Sequence, residues 1–147
     1  MNLLIALDDE VSAATIIKFV GILFSLEKTK VRLIHAMNPI MKNEHPIISY
    51  PPFLEPATDS YKLLAETMLQ KAAKDLHSKL GKNCVINADV VVGLPERVIE
   101  DEASQWPADL VVLGRHNRSD VNKELLGSVS ADIIARSPCD VMVVNLN

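Results

Sequence analysis

The chain has 147 residues, of which 48% are hydrophobic and 23% charged, and its formal net charge is -4. That size and apolar content allow one domain to bury a core without disulfides or metal, so residues 1–147 are expected to form a single domain. The acidic balance excludes a surface built for nucleic acid or anionic membrane, since both demand concentrated Lys and Arg.

The opening segment MNLLIALDDE lacks the positive start and long apolar stretch of a signal peptide, and no run approaches the roughly 18 apolar residues of a membrane span. A cytoplasmic protein is expected. Residues 3–8 (LLIALD) and 31–37 (VRLIHAM) are short, Leu/Ile/Val-rich runs that read as buried strands. Between them lies a longer apolar stretch with positions 16, 17, 20, 23 and 24 at helical spacing, giving a βαβ unit. From 38 to 57 the pattern breaks: five prolines (39, 46, 51, 52 and 56) remove backbone donors and predict one long loop. Its Tyr50 and Phe53 suit either a cover over a pocket or a partner-binding segment.

Thr58 or Asp59 then caps a helix whose apolar positions 64, 68, 69, 72, 73, 76 and 80 keep helical spacing, ending at Gly81. Residues 84–92 form a third strand. Pro95 opens an amphipathic helix, Trp106-Pro107 stops it, and 108–114 (ADLVVLG) is a fourth strand. A stripe of Leu125, Leu126, Val129, Ile133 and Ile134 marks the last helix, and 139–145 (CDVMVVN) the last strand. Cys84 and Cys139 sit alone in apolar strand-like stretches, without CxxC or neighbouring His, and read as small core residues.

Strands alternating with helices, and strands that are almost wholly apolar, predict a parallel sheet covered on both faces. The expected fold is a doubly wound α/β sheet of five strands in the order 3-2-1-4-5, whose winding direction reverses between strands 1 and 4. In such sheets a ligand binds outside the carboxyl ends of the strands at that switch point. Those ends are Asp8 and Gly114, so the LDDE turn and the GRHNRSD loop are predicted to flank a crevice. Glycines let backbone approach an anion, the N–H groups of a helix start attract it, and Arg115, Arg118 and Lys123 add positive charge. Gly127 would cost ~1 kcal/mol inside a helix and is therefore placed at a helix entrance, where Ser128 either contacts phosphate or caps the helix.

With those residues in place, Gly114-x2-Asn117-x9-Gly127-Ser128 resembles the Gly-x2-Gly-x9-Gly-Ser/Thr motif of the ATP-binding branch of the universal stress protein family. LIHAMNP, VVGLPERVI and SPCDVMVV resemble other segments of that family, over the whole chain. The resemblance implies a homodimer formed through the last strand, 139–145, and in one branch ATP with Mg or Mn. It would bring Asp8 to the ribose or metal, Ala36 to adenine, Gly114 under the ribose-phosphate, and Gly127 and Ser128 to the phosphates. Asn117 replaces the second glycine, which puts the chain between the ATP-binding branch and a branch that binds none. Asn tolerates φ > 0 better than any residue but glycine, so its amide either blocks the phosphate or donates a hydrogen bond to it. Asp9 and Glu10, beside Asp8, place further negative charge near a triphosphate.

No catalytic triad, carboxylate pair or metal-ligand spacing emerges, so no catalytic residue is assigned and any ATP hydrolysis is expected to be slow. His35 is expected to be a hydrogen-bonded core residue and His116 a solvent-facing one. Two functions follow: an ATP-binding stress-response switch, or a nucleotide-free dimeric scaffold acting through protein partners.

Overall fold

The computed structural model describes residues 1–23, 29–38, 58–81, 84–116 and 127–146. The elements are β1 (Asn2–Ala6), α1 (Glu10–Leu23), β2 (Lys30–Met37), α2 (Thr58–Leu80), β3 (Val85–Val92), α3 (Pro95–Gln105), β4 (Leu110–His116), α4 (Ser128–Arg136) and β5 (Asp140–Leu146). The strands form one five-stranded sheet in the order β3-β2-β1-β4-β5, and every pairing is parallel. This is the predicted architecture and order. The predicted 38–57 loop, apart from Asn38, lies outside the described residues.

Side chains of a strand alternate between the two faces of the sheet. Leu3 and Ile5 of β1 join Val31 and Leu33 of β2 and Val112 of β4 against Ile16, Ile17 and Val20 of α1 and Leu69, Ala72 and Leu76 of α2. Leu4, Ile34, Val111 and Leu113 face the other way, onto Val98, Ile99 and Ala103 of α3 and Ile133 of α4. Because both faces are covered, the central strands read as unbroken apolar runs instead of alternating ones. Each fully buried Leu or Ile stabilises the fold by about 1.5–3 kcal/mol, so β1, with Leu3, Leu4 and Ile5 all at 0% exposure, is the best-anchored segment.

The helix ends follow local chemistry. Asp9 precedes α1 and its Oδ1 accepts the Ser12 N–H at 2.8 Å, while Ser12 Oγ accepts the Asp9 N–H at 3.1 Å. This reciprocal pair satisfies two donors that the first turn would otherwise leave open. Gly81 ends α2 at φ +84 and returns its N–H to His77 O at 3.1 Å, a left-handed cap that glycine adopts without a Cβ penalty.

Three positions of the predicted helical stripes are exposed: Leu64 of α2 is 66% accessible, Leu23 of α1 51% and Ile134 of α4 49%. Glu10 at the start of α1 pairs with Lys71, and a Cβ on Gly21 would touch Lys79, so the two helices run side by side in the same direction. The first turns of α2 therefore extend past the start of α1 and lose the neighbour that their apolar spacing would have met. The strand limits also shift: β1 stops at Ala6 and β4 runs to His116. Asp8 consequently stands in a turn beyond β1, and Gly114 lies inside β4, paired with Val144, instead of at its end.

Across the sheet, Arg32 of β2 bonds Glu102 of α3 at 2.9 Å and approaches Asp89 of β3 at 3.6 Å. At the amino end of the strands, the Asn2 N–H donates to Asp109 Oδ2 at 2.6 Å and Asn2 Nδ2 to Pro107 O at 3.0 Å. These contacts tie the start of β1 to the start of β4, leaving the carboxyl ends of the same strands to diverge.

Candidate functional site

Winding reverses between β1 and β4, and a cavity of about 150 Å³ opens there. Asp8, Ala36 and Gly114 all line it. Its wall toward α3 and α4 is apolar, made by Pro95, Ile99, Leu113 and Val129, while Ile16 and Leu146 close the side toward α1. Polar groups enter from three directions: Asp8, Ser12 and Ser130. A mostly apolar hollow with a few placed polar groups is the usual form of a small-molecule site.

The remaining expected residues divide. Gly127 is the residue before α4, at φ -59 and ψ 154, and its carbonyl accepts the Ala131 N–H at 2.9 Å. Ser128 is the first residue of α4, and among the described residues no side-chain hydrogen bond caps that helix at Gly127. Both are exposed and neither lines the cavity; the next residues of the same turn, Val129 and Ser130, do. Arg115 follows Gly114 in β4 and stands opposite Asn145 of β5. Strand alternation turns it to the other face from Gly114, and it is not among the cavity-lining residues. Asn117, with Arg118 and Lys123 of the predicted basic loop, lies outside the described residues.

The charges around Asp8 are arranged differently from a simple acidic cluster. Asp9 is engaged in the α1 cap, and Glu10 forms an ion pair with Lys71 of α2. That hydrogen bond and the attraction to Glu10 raise the Lys71 ammonium above its usual value. Asp8 lines the cavity wall. Its turn is held by β2: the Leu7 N–H donates to Ile34 O at 2.9 Å, and His35 Nδ1 lies 2.8 Å from Leu7 O. A carbonyl only accepts, so the His35 proton on this bond sits on Nδ1. His35 is the hydrogen-bonded residue expected from its strand position.

Facing Asp8 is the start of α4. The first-turn N–H groups of a helix lack intrahelical partners and carry the positive end of its dipole. Ser130 is 5% exposed, and its one described bond, from Oγ to Gly114 O, is long at 3.5 Å. Sequence reasoning missed Ser130 and Ser12 as site residues. Their signals were present as the third position of each helix, counted from Gly127 and from Asp9, where a hydroxyl turns back toward the helix entrance. Among the described residues, no group of three or more His, Cys, Asp or Glu could hold a metal ion.

A parallel sheet wound both ways, with a small half-apolar hollow at its switch point and a helix start facing a carboxylate across it, defines a doubly wound α/β protein with a ligand crevice. The family model of the Universal stress protein family matches residues 1–145. The chain belongs to the universal stress protein family. It is 48% identical over 56 residues to Universal stress protein Sll1388 of Synechocystis, covering 38% of this chain and 36% of that protein. With Universal stress protein MJ0531 of Methanocaldococcus jannaschii it shares 29% identity over 104 residues, 67% of this chain and 61% of the relative. These matches span less than two thirds of the curated relatives' own lengths.

Among solved structures, hypothetical protein MJ0577 superposes with a TM-score of 0.77 at 23% identity, over 98% of this chain and 94% of the other. A universal stress protein in complex with cAMP superposes at 0.67 and 22% identity, over 100% and 98% of the two chains. The Arabidopsis thaliana family member At3g01520 with AMP bound superposes at 0.68 and 18%, over 100% and 92%. At these identities the likeness is one of fold.

Proposed function

We propose that this chain binds an adenine nucleotide, ATP foremost, in the crevice between β1 and β4, and acts as a nucleotide-responsive stress protein and not as a fast catalyst. The observation that carries this reading is the convergence of Asp8, Ala36 and Gly114 on one hollow that also receives the first turn of α4. The apolar wall suits a purine ring, and the α4 start suits phosphate. That fold neighbours hold cAMP and AMP supports the choice of adenine.

Among the described residues that line the cavity, Asp8 alone is a carboxylate. Mg²⁺ is commonly bound by one or two carboxylates with substrate phosphates and waters completing its shell, so Mg or Mn would sit here only through the nucleotide, with Asp8 as its protein ligand. Bound metal would supply charge neutralisation at the phosphates. In this reading Gly127 and Ser128 offer backbone N–H and hydroxyl donors, Arg115 adds positive charge nearby, and the Asn117 amide meets a phosphate oxygen.

Native mass spectrometry of protein purified without added nucleotide, followed by thermal-shift titration with Mg-ATP, AMP and cAMP, tests the reading. Retained nucleotide or a concentration-dependent rise in melting temperature is expected; neither at millimolar ligand sinks it. If Asn117→Gly gains ATP binding that the parent lacks, the second reading holds instead: a nucleotide-free scaffold acting through protein partners, favoured by Asn117 in place of the motif's glycine.

In both readings the working unit is one domain over 1–147, located in the cytoplasm and paired as a homodimer through strand 139–145. Among the described residues no helix is long and apolar enough to cross a membrane. β5 is an edge strand with half-buried Val141, Met142 and Val143, and an unpaired apolar edge is a template for a second copy. Val143→Lys is expected to give a monomer in light scattering where the parent gives a dimer.

A further inference from the structure

A side chain at position 114 would meet two neighbouring side chains, one of which would have to move. A Cβ built there would lie 2.6 Å from Leu146 Cδ1, 3.2 Å from Leu146 Cγ and 3.1 Å from Ile16 Cδ1. The first of these is shorter than packed carbons allow and the other two are tight, since non-bonded carbons prefer about 3.5–4.0 Å. The backbone is not the reason for the glycine: Gly81 is the glycine with positive φ among the described residues, and Gly114 is an ordinary strand residue in register with Val144.

What crowds Gly114 comes chiefly from the neighbouring edge strand. Leu146 is the last residue of β5, in register with His116, and its side chain folds back over Gly114. Gly114, Leu146 and Ile16 all line the crevice. Leu146 Cδ1 is the end of a flexible side chain, and the hollow beside it has space. A methyl group added at position 114 would therefore displace Leu146 into the cavity. At about 150 Å³ the described hollow is already below the roughly 300–1,000 Å³ usual for ligand pockets, so this displacement consumes space that a ligand needs.

We infer that Leu146 sets the size of the crevice, and that residue 114 is glycine in part because Leu146 and Ile16 occupy its side-chain space. Leu146 is thereby a specificity-determining residue, and the end of edge strand β5 is part of the ligand site. For its binding arm this inference rests on the proposed adenine-nucleotide site; its folding arm does not.

The test uses four full-length proteins: the parent, Gly114→Ala, Leu146→Ala and the double variant. Each is melted without ligand and titrated calorimetrically with AMP. In the parent background Gly114→Ala is expected to lower the melting temperature and to weaken AMP on the order of tenfold, the scale at which contacting residues couple. In the Leu146→Ala background both losses are expected to shrink to within about twofold in affinity and to a minor shift in melting temperature. Equal losses in the two backgrounds, in either measurement, overturn the inference and return Gly114 to direct ligand contact. If Gly114→Ala does not fold, recovery of a cooperative transition in the double variant supports the inference and continued unfolding overturns it. If the parent binds no AMP at millimolar concentration, the nucleotide reading fails by itself, and the melting cycle decides the Leu146 inference.

Discussion

Gly127→Asp separates the stability of α4 from its proposed work on phosphate. Gly127 has the extended backbone of an N-cap residue and no side-chain cap bond, and a Cβ there meets nothing described within 4 Å. An aspartate can enter without a clash and accept an N–H of the first turn. Replacing an N-cap glycine by Asp contributes a few tenths of a kcal/mol, and a negative charge at the helix start adds about 0.3–1 kcal/mol. The sum, about 0.5–1.4 kcal/mol, corresponds to a rise of about 1–6 °C in melting temperature for a chain of this size.

The same carboxylate would occupy the donors proposed for phosphate and repel it. Two like charges about 4 Å apart cost about 1 kcal/mol in water and about 4 kcal/mol at an effective dielectric of 20. Gly127 is exposed, so the lower half of that range applies, and about 1.4 kcal/mol is already a tenfold loss of affinity. Far-UV circular dichroism melts without ligand should show the gain, and calorimetric titration with Mg-ATP or AMP the loss of tenfold or more. Gly127→Ala, which lacks the charge, should lose less affinity than the aspartate. An aspartate variant that is stabilised yet binds nucleotide like the parent would refute the placement of phosphate at α4, and a destabilised one would refute the open space around Gly127.

Ser12→Ala removes the hydroxyl that bonds Asp9 and is expected to cost about 1 kcal/mol in urea unfolding, with weaker ligand binding because the Asp8 turn loses its anchor. Arg32→Leu leaves Glu102, 15% exposed, without its 2.9 Å partner; a loss of about 1–3 kcal/mol is expected, and adding Glu102→Leu should recover part of it in the same denaturation assay. Burial raises the Cys84 thiol above its ordinary value of 9.0. Folding therefore favours the protonated thiol: its contribution is complete below pH 9 and is lost as pH rises from there through the folded value. Melts from pH 8 to 10 should show a decline that Cys84→Ala reduces, and thiol labelling of the native protein should mark the half-exposed Cys139 well before Cys84.

The alternation of elements was legible from residue patterns because its physical cause is local. Leu3, Leu4 and Ile5 form an unbroken apolar run since helices cover both faces of β1, and Asp9 and Ser12 mark a helix start by bonding within one turn. With five parallel strands and their connections in hand, general topology rules yielded the strand order, and the order located the crevice at Asp8 and Gly114. Asp8 and Gly114 could thus be placed at the crevice before any family was considered; Ala36 came from the family resemblance.

Other features depend on where elements end relative to one another, which no local pattern encodes. Leu64 has the spacing of a core residue but is exposed, because α2 outruns the start of α1. Ser130 reads as an ordinary helix serine until α4 is laid against β4, where its hydroxyl faces the Gly114 carbonyl. Gly114 itself shows the division most clearly. Sequence marks it as a glycine beside a basic loop and suggests a ligand as the reason for it. Only the parallel register of β4 and β5 brings Leu146, far along the chain, onto its α-carbon, because strand pairing converts a long separation in sequence into contact in space.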